Sequence, residues 1–207
     1  PYTTLFRSDF YILYNGPECG ASAPDHMHFQ AAGKEESLST PFFKDFLNDI
    51  IEQTDFDDVP AIVNSYANNT FITSIGLASI LRSELIEKFE NIYNILSTFY
   101  GKEPLINIIA WYAIDSTKHG EDDEVVAWNC VIFLRSKHRP DCYYNQGGKG
   151  LLISPAVAEM GGVFPIIREE DMDKLNTKEI IDIYKEISLS PEQFETLCDE
   201  LFRKDEV

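Results

Sequence analysis

The chain has 207 residues, enough for one domain with a substantial buried core, and its 44% hydrophobic and 25% charged content is ordinary for a globular protein. Thirty-five acidic residues against 17 basic ones give a formal net charge of −18, so most of the surface repels polyanions and no nucleic-acid partner is expected. No run of about 18 apolar residues is present, so no membrane partner is expected either.

Residues 1–8, Pro1-Tyr2-Thr3-Thr4-Leu5-Phe6-Arg7-Ser8, resemble the in-frame translation of a common DNA-sequencing adapter and are set apart from the fold. One domain is expected over residues 9–207, as the C-terminal portion of a longer protein. Phe10-Tyr11-Ile12-Leu13-Tyr14 is aromatic and branched, as strands are. Asn15 to Pro24 is rich in Gly, Pro and small polar residues and reads as a loop. His26 to Ala31 alternates polar with apolar, the period of a half-buried strand. Thr40-Pro41 opens a helix to about Gln53, and Pro60 to Tyr66 and Thr70 to Ile75 read as strands. From Ala78 to Tyr100 the apolar residues Leu81, Leu85, Phe89, Ile92 and Leu96 recur at helical spacing. Leu105 to Ala113 and Val125 to Leu134 are continuous apolar runs, expected as central strands across the charged connection Asp115 to Glu124. Gly161 to Ile167 reads as one more strand. Two helices close the chain, opened by the capping boxes Asn176 with Glu179 and Ser190-Pro191 with Gln193. Strands in adjacent groups, without regular βαβ alternation, predict an α+β fold with a mainly antiparallel sheet flanked by helices. Cys19, Cys130, Cys142 and Cys198 are scattered with no C-x-x-C pair, which fits free thiols in a reducing, cytoplasmic compartment.

The chemistry-bearing stretch runs from Asn15 to Gln30. Alternate side chains of a strand share a face, so His26, His28 and Gln30 form a polar row while Met27, Phe29 and Ala31 point to the core. Two imidazoles and an amide on one face need partners, whether ligand, metal or hydrogen bonds. Just upstream, the loop from Gly16 through Gly20 to Ser22 can turn backbone N–H groups toward an anion, with the Ser22 hydroxyl beside them. Imidazole is a good nucleophile at neutral pH. Attack on an α-phosphate makes a nucleotidyl-histidine and splits one hard displacement into two easier ones. Gln30 can hydrogen-bond phosphoryl oxygens but supplies no proton, which suits transfer to a phosphate-bearing acceptor.

With these residues in view, Asn15 to Gln30 resembles the active-site segment of the nucleotidyl-transferring branch of the histidine-triad superfamily. Galactose-1-phosphate uridylyltransferases and diadenosine tetraphosphate phosphorylases carry the same Asn-Gly loop, Gly-small-Ser step and His-x-His-x-Gln row. His28-Phe29-Gln30-Ala31, the run Ser154 to Gly162 and Ile187-Ser188-Leu189-Ser190 are similar to segments of GDP-hexose phosphorylases such as plant GDP-L-galactose phosphorylase. The resemblance implies a bacterial member with a HIT-like fold, incomplete at the N-terminus. It implies an enzyme of phosphorylase type, acting on a nucleoside-diphosphate sugar or dinucleoside polyphosphate with phosphate or a sugar phosphate as acceptor. By the same resemblance His28 is the nucleophile, His26 orients the site, and Asn15, Ser22 and Gln30 hold phosphate oxygens. No cofactor is required. Zinc is the one metal it allows, because the histidine matching His26 can ligate zinc in uridylyltransferases, with the remaining ligands upstream of this chain. Pro24-Asp25 departs from the uridylyltransferase pattern. Relatives pair subunits around this site, so a homodimer is the implied assembly.

Two further features stand outside the motif. Arg135, Lys137, His138 and Arg139 gather at the end of an apolar strand, either as a solvated strand end or as a phosphate clamp for the acceptor. Asn107 is polar inside the apolar run 105–113, as a satisfied strand amide or a contact supporting the substrate. Three rival readings remain: a cupin-like metal protein using His26 and His28, whose acidic ligand is missing near Ala32 and Gly33; a catalytically silent nucleotide-binding module; and a hydrolase of the same superfamily, disfavoured by Gln30.

Overall fold

Five strands form one open, wholly antiparallel sheet: β1 (Phe10–Asn15), β2 (Phe29–Gly33), β3 (Ser74–Ser79), β4 (Ile106–Asp115) and β5 (Val125–Leu134), in the spatial order β2-β1-β4-β5-β3. The computed structural model describes residues 10–21, 27–34, 72–115, 125–145 and 150–202. Among these lie the helices α1 (Arg82–Tyr100), α2 (Asp141–Tyr144), α3 (Val157–Met160), α4 (Glu169–Met172), α5 (Thr177–Ile187) and α6 (Pro191–Phe202). The architecture is the expected α+β class. The helix expected at 40–53 and the strand at 60–66 lie outside the described residues.

Both central strands are mainly apolar because both faces of the sheet are covered, with Asn107 in β4 and Asn129 in β5 as buried polar exceptions. On one face Tyr11, Leu13, Ile109, Trp111, Val131 and Phe133 pack against Leu151, Ile153, Val157, Met160, Ile183, Tyr184 and Ile187. On the other, Ile75, Leu77, Ile106, Ile132 and Leu134 pack against Ile92 and Leu96 of α1 and Phe194, Leu197 and Leu201 of α6. Each of these fully buried side chains contributes about 1.5–3 kcal/mol of transfer free energy, so the two layers anchor everything around them.

Three expectations about elements are corrected. The helix expected from Ala78 begins at Arg82, and the strand before it runs over Ser74–Ser79 rather than Thr70–Ile75. Ala78 and Ser79 pair with Asn129 and Trp128 of β5, so the sheet ladder claims them before the helix can. Ser79 then serves the helix entry: its hydroxyl accepts from the Leu81 N–H (3.1 Å) and donates to Glu84. Gly161 to Ile167 forms no strand: Gly161 and Gly162 turn the chain at the end of α3, with their N–H groups donating to the Val157 and Glu159 carbonyls, and residues 163–167 join no ladder. Gly162 there is left-handed, at φ 92°, and Pro165 has no N–H to give a ladder. Third, β2 begins only at Phe29, and Met27 and Phe29 point outward, 73% and 63% exposed, instead of into the core. β2 is an edge strand, and the second apolar layer reaches no further than Ile108 and Ala110, so Phe29 has mainly the Tyr14 ring to rest on, centroids 5.4 Å apart.

The C-terminal caps form as local chemistry dictates. Ser190 Oγ accepts from Gln193 N–H (3.2 Å) and Gln193 Oε1 from Ser190 N–H (2.9 Å), a complete capping box. Asn176 Oδ1 caps α5 by accepting from the Lys178 N–H (2.9 Å). All four cysteines are free.

Asp171 ties α4 to the segment before α3. Its buried carboxylate accepts from Leu152 N–H (3.0 Å), Arg168 Nε (2.7 Å) and Nη2 (2.9 Å), and Lys174 Nζ (3.3 Å). The Arg168 hydrogen bonds outweigh burial and hold its pKa at about 2. The folded value lies below the ordinary value of about 4, so Asp171 stabilises fully above that pH, and the contribution is lost as pH falls toward 2. Melting midpoints measured across this window will fall more steeply for the wild type than for Asp171→Asn, which will melt lower at neutral pH.

Candidate active site

β1 ends on Asn15, whose register partner in β4 is Asn107. Both lie on the sheet face that carries Leu13 and Ile109, because alternate residues of a strand share a face. Asn107 is completely buried, and all of its side-chain bonds are internal. Its Nδ2 donates to Asn15 Oδ1 (2.6 Å) and to the Cys19 carbonyl (3.0 Å), while its Oδ1 accepts from Arg135 Nη1 (3.0 Å). Asn15 Oδ1 accepts a second bond from the Val157 N–H (2.7 Å) at the start of α3.

Arg135 follows β5 and is also fully buried. Its guanidinium donates to the carbonyls of Pro155 (Nη1, 2.7 Å), His138 (Nη2, 2.7 Å) and Lys137 (Nε, 3.3 Å). Burial lowers its pKa to about 10, so it stays cationic at neutral pH. The expectation of a solvated strand end is therefore corrected for Arg135, whose charge is turned inward.

The loop after β1 is stitched to the same segments. Gly16 N–H donates to the Ile106 carbonyl (2.9 Å), and a Cβ on Gly16 would stand 2.8 Å from that oxygen. Gly20 is left-handed, at φ +83°, and a Cβ there would meet the Pro155 carbonyl oxygen at 1.8 Å. Its N–H donates to His138 Nδ1 (3.1 Å), and its carbonyl accepts from Ser154 Oγ (2.8 Å). Both glycine N–H groups that the sequence offers to an anion are thus held by protein acceptors. Beneath the loop Cys19 is buried, which pushes its thiol up to about 12 and leaves it unreactive at neutral pH.

His28 is half-buried and lies immediately before β2. Tyr14 pairs with Phe29, so continuing the register by one step sets position 28 opposite Asn15. Gln30 is exposed opposite Leu13. Ser22 and His26 lie outside the described residues.

The remaining basic residues part company. Lys137 Nζ pairs with Asp141 (2.8 Å) and with Glu186. Arg139 Nε donates to Ser154 Oγ (2.7 Å), and its guanidinium lies over the Tyr143 ring, 4.4 Å from the centroid. His138 faces Gly20. Sequence reasoning did not single out the backbone of Pro155 and Val157, nor Glu159 as a site residue. The Glu159 carboxyl, raised by burial, folds back to accept from the Ala156 N–H (2.9 Å). The only signal for these was the similarity of the run 154–162 to phosphorylase segments.

Among the described residues no three His, Cys, Asp or Glu side chains are grouped to hold a metal. The open sheet is also not the double-stranded barrel that a cupin-like reading requires.

Two outcomes follow from the loop geometry. Gly20→Ala is expected to cost about 2 kcal/mol or more in unfolding free energy, from φ strain and the clash with Pro155. Burial, and next the Arg139 guanidinium, depress the His138 pKa. Its bond to Gly20 is therefore complete above the ordinary imidazole value of about 6.5 and lost as pH falls through the depressed native value. The Gly20 amide resonance will report this titration, and His138→Asn, which keeps an acceptor, will flatten it.

Residues 127–205 match the family model described as the GDPGP1-like C-terminal domain, and residues 3–33 match a domain of unknown function, DUF4922. No curated protein and no solved structure matches the chain. Among the described residues no helix is long and apolar enough to cross a membrane. The two matched segments stand at opposite ends of the sequence, yet Asn15 to Ala21 from one and Arg135 to Val157 from the other share a single hydrogen-bond network. The longer match likens residues 127–205, less than half of the chain, to the C-terminal domain of GDPGP1-like proteins.

Proposed function

We propose that this chain is a phosphorylase-type nucleotidyltransferase that carries the nucleotidyl group of a nucleoside-diphosphate hexose on His28. In the first step an imidazole nitrogen of His28 attacks the α-phosphorus. The bond from that phosphorus to the bridging oxygen breaks, and hexose 1-phosphate leaves. In the second step a phosphate oxygen attacks the same phosphorus, the P–N bond breaks, and a nucleoside diphosphate leaves with the imidazole restored. Neither leaving group needs a proton from Gln30: hexose 1-phosphate departs as a phosphate in the first step, and the neutral imidazole of His28 departs in the second. GDP-hexose is the substrate to test first, given the match of residues 127–205.

In this reading Asn15, Ser22 and Gln30 hold the transferred phosphate, and His26 orients the ring of His28. Gly16 and Gly20 let the loop lie flat on Ile106 and Pro155. Arg139 serves the acceptor phosphate, because only its Nε is bonded among the described residues while Lys137 is matched by two carboxylates. The observation that carries the reading is the β1–β2 register, whose last pair, Tyr14 with Phe29, makes His28 the next residue in line toward Asn15, and the carboxamide of Asn15 is built into a buried network.

Incubating the protein with a GDP-hexose and quenching in base is expected to give an acid-labile GMP adduct on His28 by mass spectrometry. His28→Ala should lose the adduct and turnover together, by at least about a thousandfold. An adduct that survives His28→Ala removes this residue as the nucleophile. Tight nucleotide binding with no adduct in the wild type points to the silent binding module instead.

A further inference from the structure

The carboxamide of Asn15 stands between a buried cation and the position of His28, and groups of unchangeable polarity dictate which way round it sits. A guanidinium only donates, so the Asn107 atom facing Arg135 Nη1 is Oδ1. A carbonyl only accepts, so the Asn107 atom facing Cys19 is Nδ2. The two requirements agree, and they leave the Asn107 Nδ2 donating to Asn15, whose atom there must be Oδ1. The Val157 N–H, another obligate donor, meets that same oxygen from a different element. The Asn15 carboxamide is thus held on its oxygen from two sides. Its Nδ2 has no hydrogen-bond partner among the described residues, although Asn15 is only half-buried.

We infer that Arg135 and Asn107 are positioning residues that act in series, fixing Asn15 so that its Nδ2 hydrogens face the His28 side as donors to a phosphoryl oxygen. The identity of the anion rests on the nucleotidyl-transfer reading; the orientation of the amide does not. An outward donor selects ligand atoms that only accept, which is the chemistry of ionised phosphate oxygens. The buried cation never touches the ligand. It acts by orienting the residue that does.

The test uses inorganic pyrophosphate as the probe, with side-chain amide NMR and calorimetry on the whole chain. In the wild type the Asn15 Nδ2 signals are expected to shift on titration. Asn15→Asp keeps an acceptor for Asn107 and Val157 but turns a negative oxygen outward, so it should keep its melting midpoint and bind about tenfold more weakly, or worse. Asn107→Asp sets a carboxylate oxygen against Asn15 Oδ1 and should weaken binding by a similar factor from behind the site. A merely structural role would lower the melting midpoint of Asn107→Asp and leave the affinity of its folded fraction unchanged, which overturns the inference. Wild-type affinity in Asn15→Asp, or Asn15 signals that stay still at saturating pyrophosphate, overturns it too, whether or not Asn107→Asp folds. Success in these measurements with no adduct on His28 from GDP-hexose would uphold the inference and reject the transfer reading.

Discussion

A guanidinium with no exposed surface must find every hydrogen-bond acceptor inside the protein, and the way Arg135 does so organises the whole site. Its acceptors come from three separate stretches: the Asn107 side chain in β4, the Lys137 and His138 carbonyls just beyond β5, and the Pro155 carbonyl before α3. Desolvating a cation costs several kcal/mol unless such partners are in place, so the loops that supply them are held to one arrangement. Among the described residues no carboxylate is bonded directly to it, so the charge is spread over neutral dipoles, each of which is thereby pinned. Tyr100 closes the arrangement by donating to the Arg135 carbonyl (2.8 Å), which ties α1 to the same point.

That pinning meets the loop after β1 from below. Gly20 lies against Pro155 too closely for any side chain, and its two backbone polar groups reach His138 and Ser154. The residues 16–21 are therefore not a free loop hung from a strand but the lid of a polar core that begins at Arg135. A site built this way has a rigid back and an open front. The back is the doubly covered pair β4 and β5; the front is β2, an edge strand with solvent-facing side chains. The proposed nucleotidyl transfer would draw on such a stiff support, since its transition state needs position and charge more than new covalent chemistry.

The Asn107 position illustrates the economy of this design. An asparagine in the middle of an apolar strand costs free energy unless all its polar atoms are used. Here they are, and each bond joins a different part of the chain: Asn15, Cys19 and Arg135. The sheet supplies the register that brings Asn15 and Asn107 together, and the buried charge decides which atoms meet.

The amino-acid sequence by itself determined what depends on neighbours in the chain. The ten-residue run of β5, the Ser190–Gln193 capping box and the Asn176 cap were all legible, because period and hydrogen-bonding reach act over a few residues. Tertiary structure alone decided where charge and exposure fall. Nothing local distinguishes Arg135 from Arg139, yet one is sealed among carbonyls drawn from across the fold and the other stacks on Tyr143. The outward turn of Phe29, the unpaired run 161–167 and the bond from Val157 to Asn15, 142 residues away, were equally hidden. Burial and partnership are properties of what packs against a residue, and those neighbours come from distant positions that periodicity and motif cannot see.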